Sequence, residues 1–218
     1  MPAKADREYR DLYTVEAIPT DTETDAMKVS GQFTTYDSPY LLFSAKDERA
    51  DYEMWEQVDS KAFDECDLSD VIMQYDHEGR VFARTSNGTL ELDLETPLMT
   101  ADLSGTALGR QLYEEIRGGY TTKMSFGFKV AEEAKVQEVI EREGMNPLVK
   151  ITRTITKISK LFDVSAVSLP ANNQTSISAR ALGEGVIEEA REEFMAARTL
   201  EIQRAKAIAR AKSISMEE

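Results

Sequence analysis

Lys123-Met124-Ser125-Phe126-Gly127-Phe128-Lys129 alternates large apolar side chains with small or charged ones, and a period of two residues marks a strand buried on one face. Met124, Phe126 and Phe128 form the face that anchors this strand to a core. Ser125, Gly127 and Lys129 fall on the other face. The same period recurs upstream, where Val29, Gly31, Phe33 and Thr35 alternate with Lys28, Ser30, Gln32 and Thr34 until Asp37-Ser38-Pro39 ends the run. Downstream, Phe162, Val164 and Ala166 oppose Asp163, Ser165 and Val167. Residues 81–85 and 90–94 flank Ser86-Asn87-Gly88-Thr89, and Asn-Gly between alternating runs signals a hairpin. The core is therefore rich in strands.

Helical spacing occurs twice. Leu108, Leu112 and Ile116 recur every fourth residue, so the pattern predicts a helix over residues 106–117 with Gly118 as its stop. From Gly185 onward Ile187, Ala190, Phe194, Ala197 and Leu200 keep the spacing of an amphipathic helix, to be docked on the domain or on a partner. Its acidic start and basic end suit the helix dipole. The remaining expectations are a short strand near residues 12–18, a strand and short helix within 52–63, and a pair of strands over 148–169. The charged stretch 131–146 reads as a mobile hairpin or a helix. These elements divide the chain into an N-terminal extension (1–27), a folded domain (28–180) and a helical tail (181–218).

A length of 218 residues can bury a sizeable core. Asp and Glu number 40 against 26 Lys and Arg, a net charge of -14, which disfavours nonspecific binding to nucleic acid or to an anionic membrane. No apolar leader and no apolar run of about 18 residues appears, so the expected location is the cytoplasm. With one cysteine and one histidine, neither an intrachain disulfide nor a usual four-ligand zinc site can form. Three acids surround Cys66 and disfavour its thiolate. No glycine-rich phosphate loop is present, and no metal or cofactor is expected.

Any imidazole chemistry must use His77, in Gln74-Tyr75-Asp76-His77-Glu78-Gly79-Arg80. Serine hydrolysis needs a hydroxyl, an imidazole to take its proton and a group that fixes the tautomer. Ser125 lies opposite its strand's apolar face, and Gly127, two residues on, leaves space beside the hydroxyl for a substrate backbone. Asp163 likewise lies opposite Phe162. Asp76 and Glu78 are poorer orienting carboxylates for His77, because neighbours in an extended segment point to opposite faces. On pattern alone, blander readings stand beside these: a structural histidine, a solvated strand serine, and an edge charge that discourages strand pairing.

The segments 76–80, 110–119, 124–128 and 161–172, in that order and spacing, resemble the prohead maturation proteases of tailed bacteriophages. The resemblance covers about residues 27–180. It implies an α+β fold similar to the herpesvirus assemblins, a mainly antiparallel β-barrel core with surrounding helices. It also implies a serine endopeptidase acting inside the assembling procapsid in the host cytoplasm, cutting scaffold protein, the major capsid protein, and then itself. Carried over, Ser125 is the nucleophile, His77 the general base and Asp163 the group that orients it. Arg110, Arg153 and Gly127, with the backbone near Arg117-Gly118-Gly119, are the oxyanion candidates. Asp163 stands where relatives commonly carry Glu, and Asn173 where they usually carry Pro. Assemblin-like enzymes suggest a homodimer, and self-cleavage is expected between Ser178 and Ser215. The alternative is a catalytically inactive capsid scaffold or assembly module that keeps the protease fold.

Overall fold

The computed structural model describes residues 7–17, 27–168 and 177–214. Ten strands and two helices follow in chain order: β1 (Glu8–Ala17), β2 (Lys28–Gln32), β3 (Tyr40–Lys46), β4 (Asp51–Val58), β5 (Ile72–Tyr75), β6 (Glu78–Arg84), β7 (Leu90–Asp93), β8 (Leu98–Asp102), α1 (Ala107–Arg117), β9 (Lys123–Ile140), β10 (Leu148–Val167) and α2 (Ile177–Ile214). Strand pairing follows the path β3-β4-β10-β9-β1-β2-β8-β7, with the β5–β6 hairpin attached to β10.

This is an α+β protein dominated by strands. The barrel expected from the resemblance is not closed, because β3 and β7, the two ends of the path, do not pair with each other among the described residues. Two strands instead change partners along their length. β1 pairs with β9 between Glu8 and Thr14 and with β2 between Val15 and Ala17, which joins two sheets. β10 runs antiparallel to β9, and parallel to β4 over 148–155 and to β5 over 163–166.

Met124, Phe126 and Phe128 are fully buried, as their alternation requires. Phe126 and Phe128 stack at 4.5 Å, and the Phe33 ring meets Phe126 at 6.3 Å and Phe63 at 6.0 Å. Helix α1 packs Leu112, Tyr113 and Ile116 into the same core. Thr106 caps it, accepting a 2.9 Å bond from the Gly109 amide. The left-handed residue that ends α1 is Gly119 (φ 74°), one beyond the expected stop.

The strand expected near residues 12–18 is present as β1, paired first with β9 and then with β2. Three expectations change. The pair of strands expected over 148–169 is the single strand β10. The Asn87-Gly88 turn does not close a hairpin: β6 pairs with β5 and β7 with β8. Thr85–Asn87 makes a single 3-10 turn, and Gly88 takes the left-handed conformation (φ 74°), which redirects the chain into the second sheet. Of the two readings of 131–146, the hairpin holds and the helix does not: β9 stays paired with β10 as far as Ile140–Leu148. Its outer residues 131–140 are exposed, so they lack the half-buried alternation by which a strand is read. Residues 60–65 make turns, and no helix forms within 52–63, where a short one is expected after the strand.

Helix α2 buries Val186, Ile187 and Ala190 on Leu42, Tyr52, Met54, Val149 and Ile151. At Gly183 a Cβ would come within 2.5 Å of the Phe43 ring, so glycine permits this approach. The apolar stripe is used only at its start. Phe194 is half-buried, and Ala197, Leu200 and Ile202 are exposed, so the helix runs on past the body.

Candidate active site

The β5–β6 connection is a two-residue turn, with Tyr75 paired to Glu78. Asp76 (φ 50°) and His77 (φ 57°) both adopt the left-handed conformation that such a turn demands. For residues other than glycine this costs on the order of 1 kcal/mol each, and other contacts must hold it. The Asp76 carboxylate does so by accepting from the Ser168 amide at 2.8 Å and the Ser168 hydroxyl at 2.9 Å. The Asp76 amide donates to the Ala166 carbonyl at 2.9 Å. Asp76 thus fixes the turn on β10, and it is not the carboxylate that meets the imidazole.

That carboxylate is Asp163. The Nδ1 of His77 lies 2.5 Å from Asp163 Oδ1, and Nε2 lies 2.6 Å from Ser125 Oγ. Register explains the convergence. Ser125 of β9 stands opposite Ser165 of β10, and Gly127 opposite Asp163, so all four share the face turned from the phenylalanine core. A carboxylate only accepts, which places the ring proton on Nδ1 and leaves Nε2 to accept from the serine hydroxyl. The sequence-derived trio is therefore brought together in hydroxyl–imidazole–carboxylate order.

Sequence reasoning missed two residues in this layer. Ser165 donates to Asp163 Oδ1 at 2.7 Å; its place two residues beyond Asp163 on the same strand face was the available signal. The Tyr9 ring packs on His77 at 4.3 Å between centroids. Tyr9 pairs with Gly127 from β1, and nothing local announces it. Gly127 serves these neighbours: a Cβ there would lie 2.4 Å from Asp163 Oδ2 and 2.8 Å from Tyr9 Cε1. The space expected beside Ser125 for a substrate is taken by the carboxylate and the tyrosine ring. Alanine at 127 should displace the carboxylate and lower kcat by about 100- to 10,000-fold through loss of imidazole orientation. Steady-state kinetics on the purified variant would check this, with KM changing little.

The polar layer is closed. Ser125 is wholly buried, the Asp163 side chain is 2% exposed, and His77 at 16% is the member nearest solvent. The other oxyanion candidates are committed elsewhere. Arg110 donates to the Ser104 carbonyl at 2.7 Å. Arg153 is 2% exposed, and its guanidinium bonds to Glu8, Glu56 and Glu133. Ten strand residues separate Arg153 from Asp163, about 33 Å of extended chain. The amides of Gly118 and Gly119 close the end of α1, donating to Glu114 and Ile116. Burial, with a smaller push from Asp67, raises the Cys66 thiol to about 11, which keeps it protonated near neutrality. Among the described residues no cluster of three metal-ligating side chains occurs, and no helix is long and apolar enough to cross a membrane. Asn173 lies outside the described residues.

No curated protein and no solved structure matches the chain. A family model does: that of the caudovirus prohead serine proteases matches residues 17–187, from the end of β1 into α2, and so takes in Ser125, His77 and Asp163. On that match, over most of its length, the chain belongs to the caudovirus prohead serine protease family.

Proposed function

We propose that the chain is a serine endopeptidase of tailed-phage prohead maturation, with Ser125 as nucleophile, His77 as general base and Asp163 as the group that orients the imidazole. The observation that carries this reading is the continuous chain from Ser125 Oγ through the His77 ring to Asp163 Oδ1, at 2.6 and 2.5 Å. Ser125 Oγ attacks the scissile carbonyl carbon while its proton passes to Nε2. The imidazolium, stabilised by the Asp163 carboxylate, then gives that proton to the leaving amine. A water molecule then attacks the acyl carbonyl as Nε2 takes its proton, and His77 returns that proton to the departing Ser125 oxygen. Family membership supports a role in capsid maturation, and scaffold protein and the major capsid protein are the proposed substrates. The proposed region of self-cleavage falls largely within α2, where exposed residues 199–208 lie beyond the docked turns.

One observation favours a second reading, a non-catalytic assembly module that retains the fold: Ser125 is wholly buried among the described residues. A fluorophosphonate probe separates the two. Covalent modification at Ser125, located by peptide mass spectrometry and absent from Ser125→Ala, is the result expected of the peptidase. An unmodified Ser125 under conditions that label a control serine hydrolase would reject it.

A further inference from the structure

Strand β6 begins immediately after His77 and bows away from its partner. Between the Met73–Ala83 and Tyr75–Glu78 pairs, β5 advances by one residue, Gln74, and β6 by the four from Gly79 to Phe82. A bulge of that size turns the segment out of the sheet and re-aims its side chains. Across from it stands the first turn of α1. The two enclose an open hollow of about 410 Å³ lined by Arg80, Val81, Phe82, Thr106, Ala107 and Leu108.

The lining does not look like ordinary surface. Val81 and Leu108 are 41% and 40% exposed, although both are large and apolar. Arg80 is the one charged side chain of the lining, and it makes no hydrogen bond or ion pair among the described residues. The hollow also lies close to the triad along the chain. Arg80 and Val81 follow His77 by three and four residues, so they lie no more than about 10 to 13 Å along the chain from it. Because His77 is the triad member nearest solvent, a peptide reaching Ser125 approaches from this side. An extended peptide covers the same distance with three or four residues.

We infer that the β6–α1 hollow is a specificity subsite for the peptide being cut. It takes an apolar side chain three or four residues from the scissile bond, against Val81, Phe82 and Leu108, and Arg80 at its rim binds an acidic side chain at the adjacent position. The inference rests on the serine-peptidase reading and adds to it the class of peptide selected.

The test digests a library of proteome-derived peptides with the full chain and with Arg80→Glu and Leu108→Lys, and reads the residues at positions three and four on both sides of each cleaved bond. The wild type should favour apolar over charged residues at one of these positions by about 10-fold or more in kcat/KM, and acidic over basic residues next to it. Arg80→Glu should invert the acidic-to-basic ratio, and Leu108→Lys should erase the apolar preference. Each ratio is taken within one variant, so a change in overall activity does not enter. Profiles unchanged by both substitutions, with Ser125 of the wild type labelled by the fluorophosphonate, would overturn the subsite alone. An unlabelled Ser125 would overturn the peptidase reading and the subsite with it.

Discussion

Replacing His77 by alanine should lower kcat for peptide cleavage by about 10⁴- to 10⁶-fold, with little change in KM. The imidazole bonds both the Ser125 hydroxyl and the Asp163 carboxylate. Without it the serine proton has no acceptor and the leaving amine no donor, so attack and departure are both impaired. The chain holds no second histidine that could move in. Because the loss belongs to the chemical step, Ser125→Ala and the His77→Ala/Ser125→Ala double variant should fall to nearly the same residual rate, as expected of residues that act as a unit. Single-turnover hydrolysis of a cleaved peptide measures this. A His77→Ala enzyme retaining a tenth of wild-type kcat would show that another group is the base.

Arg10→Met should destabilise the protein by about 3 to 5 kcal/mol, the usual result of removing one member of a buried ion pair. Arg10 and Glu56 are buried, and they are joined by bonds of 2.5 and 2.7 Å. Arg153 binds the same Glu56 at 2.6 Å, together with Glu8 and Glu133, and the Tyr40 hydroxyl donates to Glu56. These groups fasten β1 to β4, β9 and β10. Removing Arg10 leaves Glu56 in the interior with one guanidinium in place of two. Chemical denaturation monitored by tryptophan fluorescence provides the measurement, and a change below about 1 kcal/mol would mean that the cluster relaxes or takes up water.

The same cluster sets an acid limit. Burial pushes the Glu8 carboxyl up, but the bond from Arg153 and the charges of Arg10 and Arg153 outweigh it and hold Glu8 at about 2, against an ordinary 4.5. Its folded value is depressed, so its contribution is whole above about pH 4.5 and is lost as the pH falls toward 2. Glu56 is shifted the same way, its burial outweighed by Arg10 and Arg153. Acid unfolding of the wild type should be steep in this window, and that of Glu8→Gln shallower.

Legibility from sequence followed the physics of burial. The strand at 123–128 could be read because Met124, Phe126 and Phe128 enter one core. Alternation also placed Ser125 on the correct face, and Asp163 too, although the register shift at Phe162 puts Leu161 in the core in its stead; the resemblance supplied their partnership with His77. What it could not supply was the other side of that face. Ser125 is turned away from the phenylalanines and is still buried, under a polar layer whose members come from β1, β9, β10 and the β5–β6 turn. Arg153 had the inward phase of Ile151 and Ile155, yet a charged residue at such a position reads as exposed until its partners are known. Those partners lie 20 to 145 residues away. The Asn87-Gly88 turn failed for a related reason. Local turn chemistry specifies a change of direction, and the choice of partner strand was made by distant backbone.

The placement of β1 between β9 and β2 has a consequence for the order of events during synthesis. Glu8 pairs with Phe128, and the triad's hydrogen bonds join residues 48 and 86 positions apart. β1 can meet β2 soon after both are made, but its pairing with β9 must wait for the 120 residues that separate Glu8 from Phe128. Such distant pairings make folding slow, and they also make the site all-or-none. No nascent fragment that stops short of Asp163 contains all three residues proposed for catalysis, so on the serine-peptidase reading a growing chain gains proteolytic competence only after Asp163 has been made.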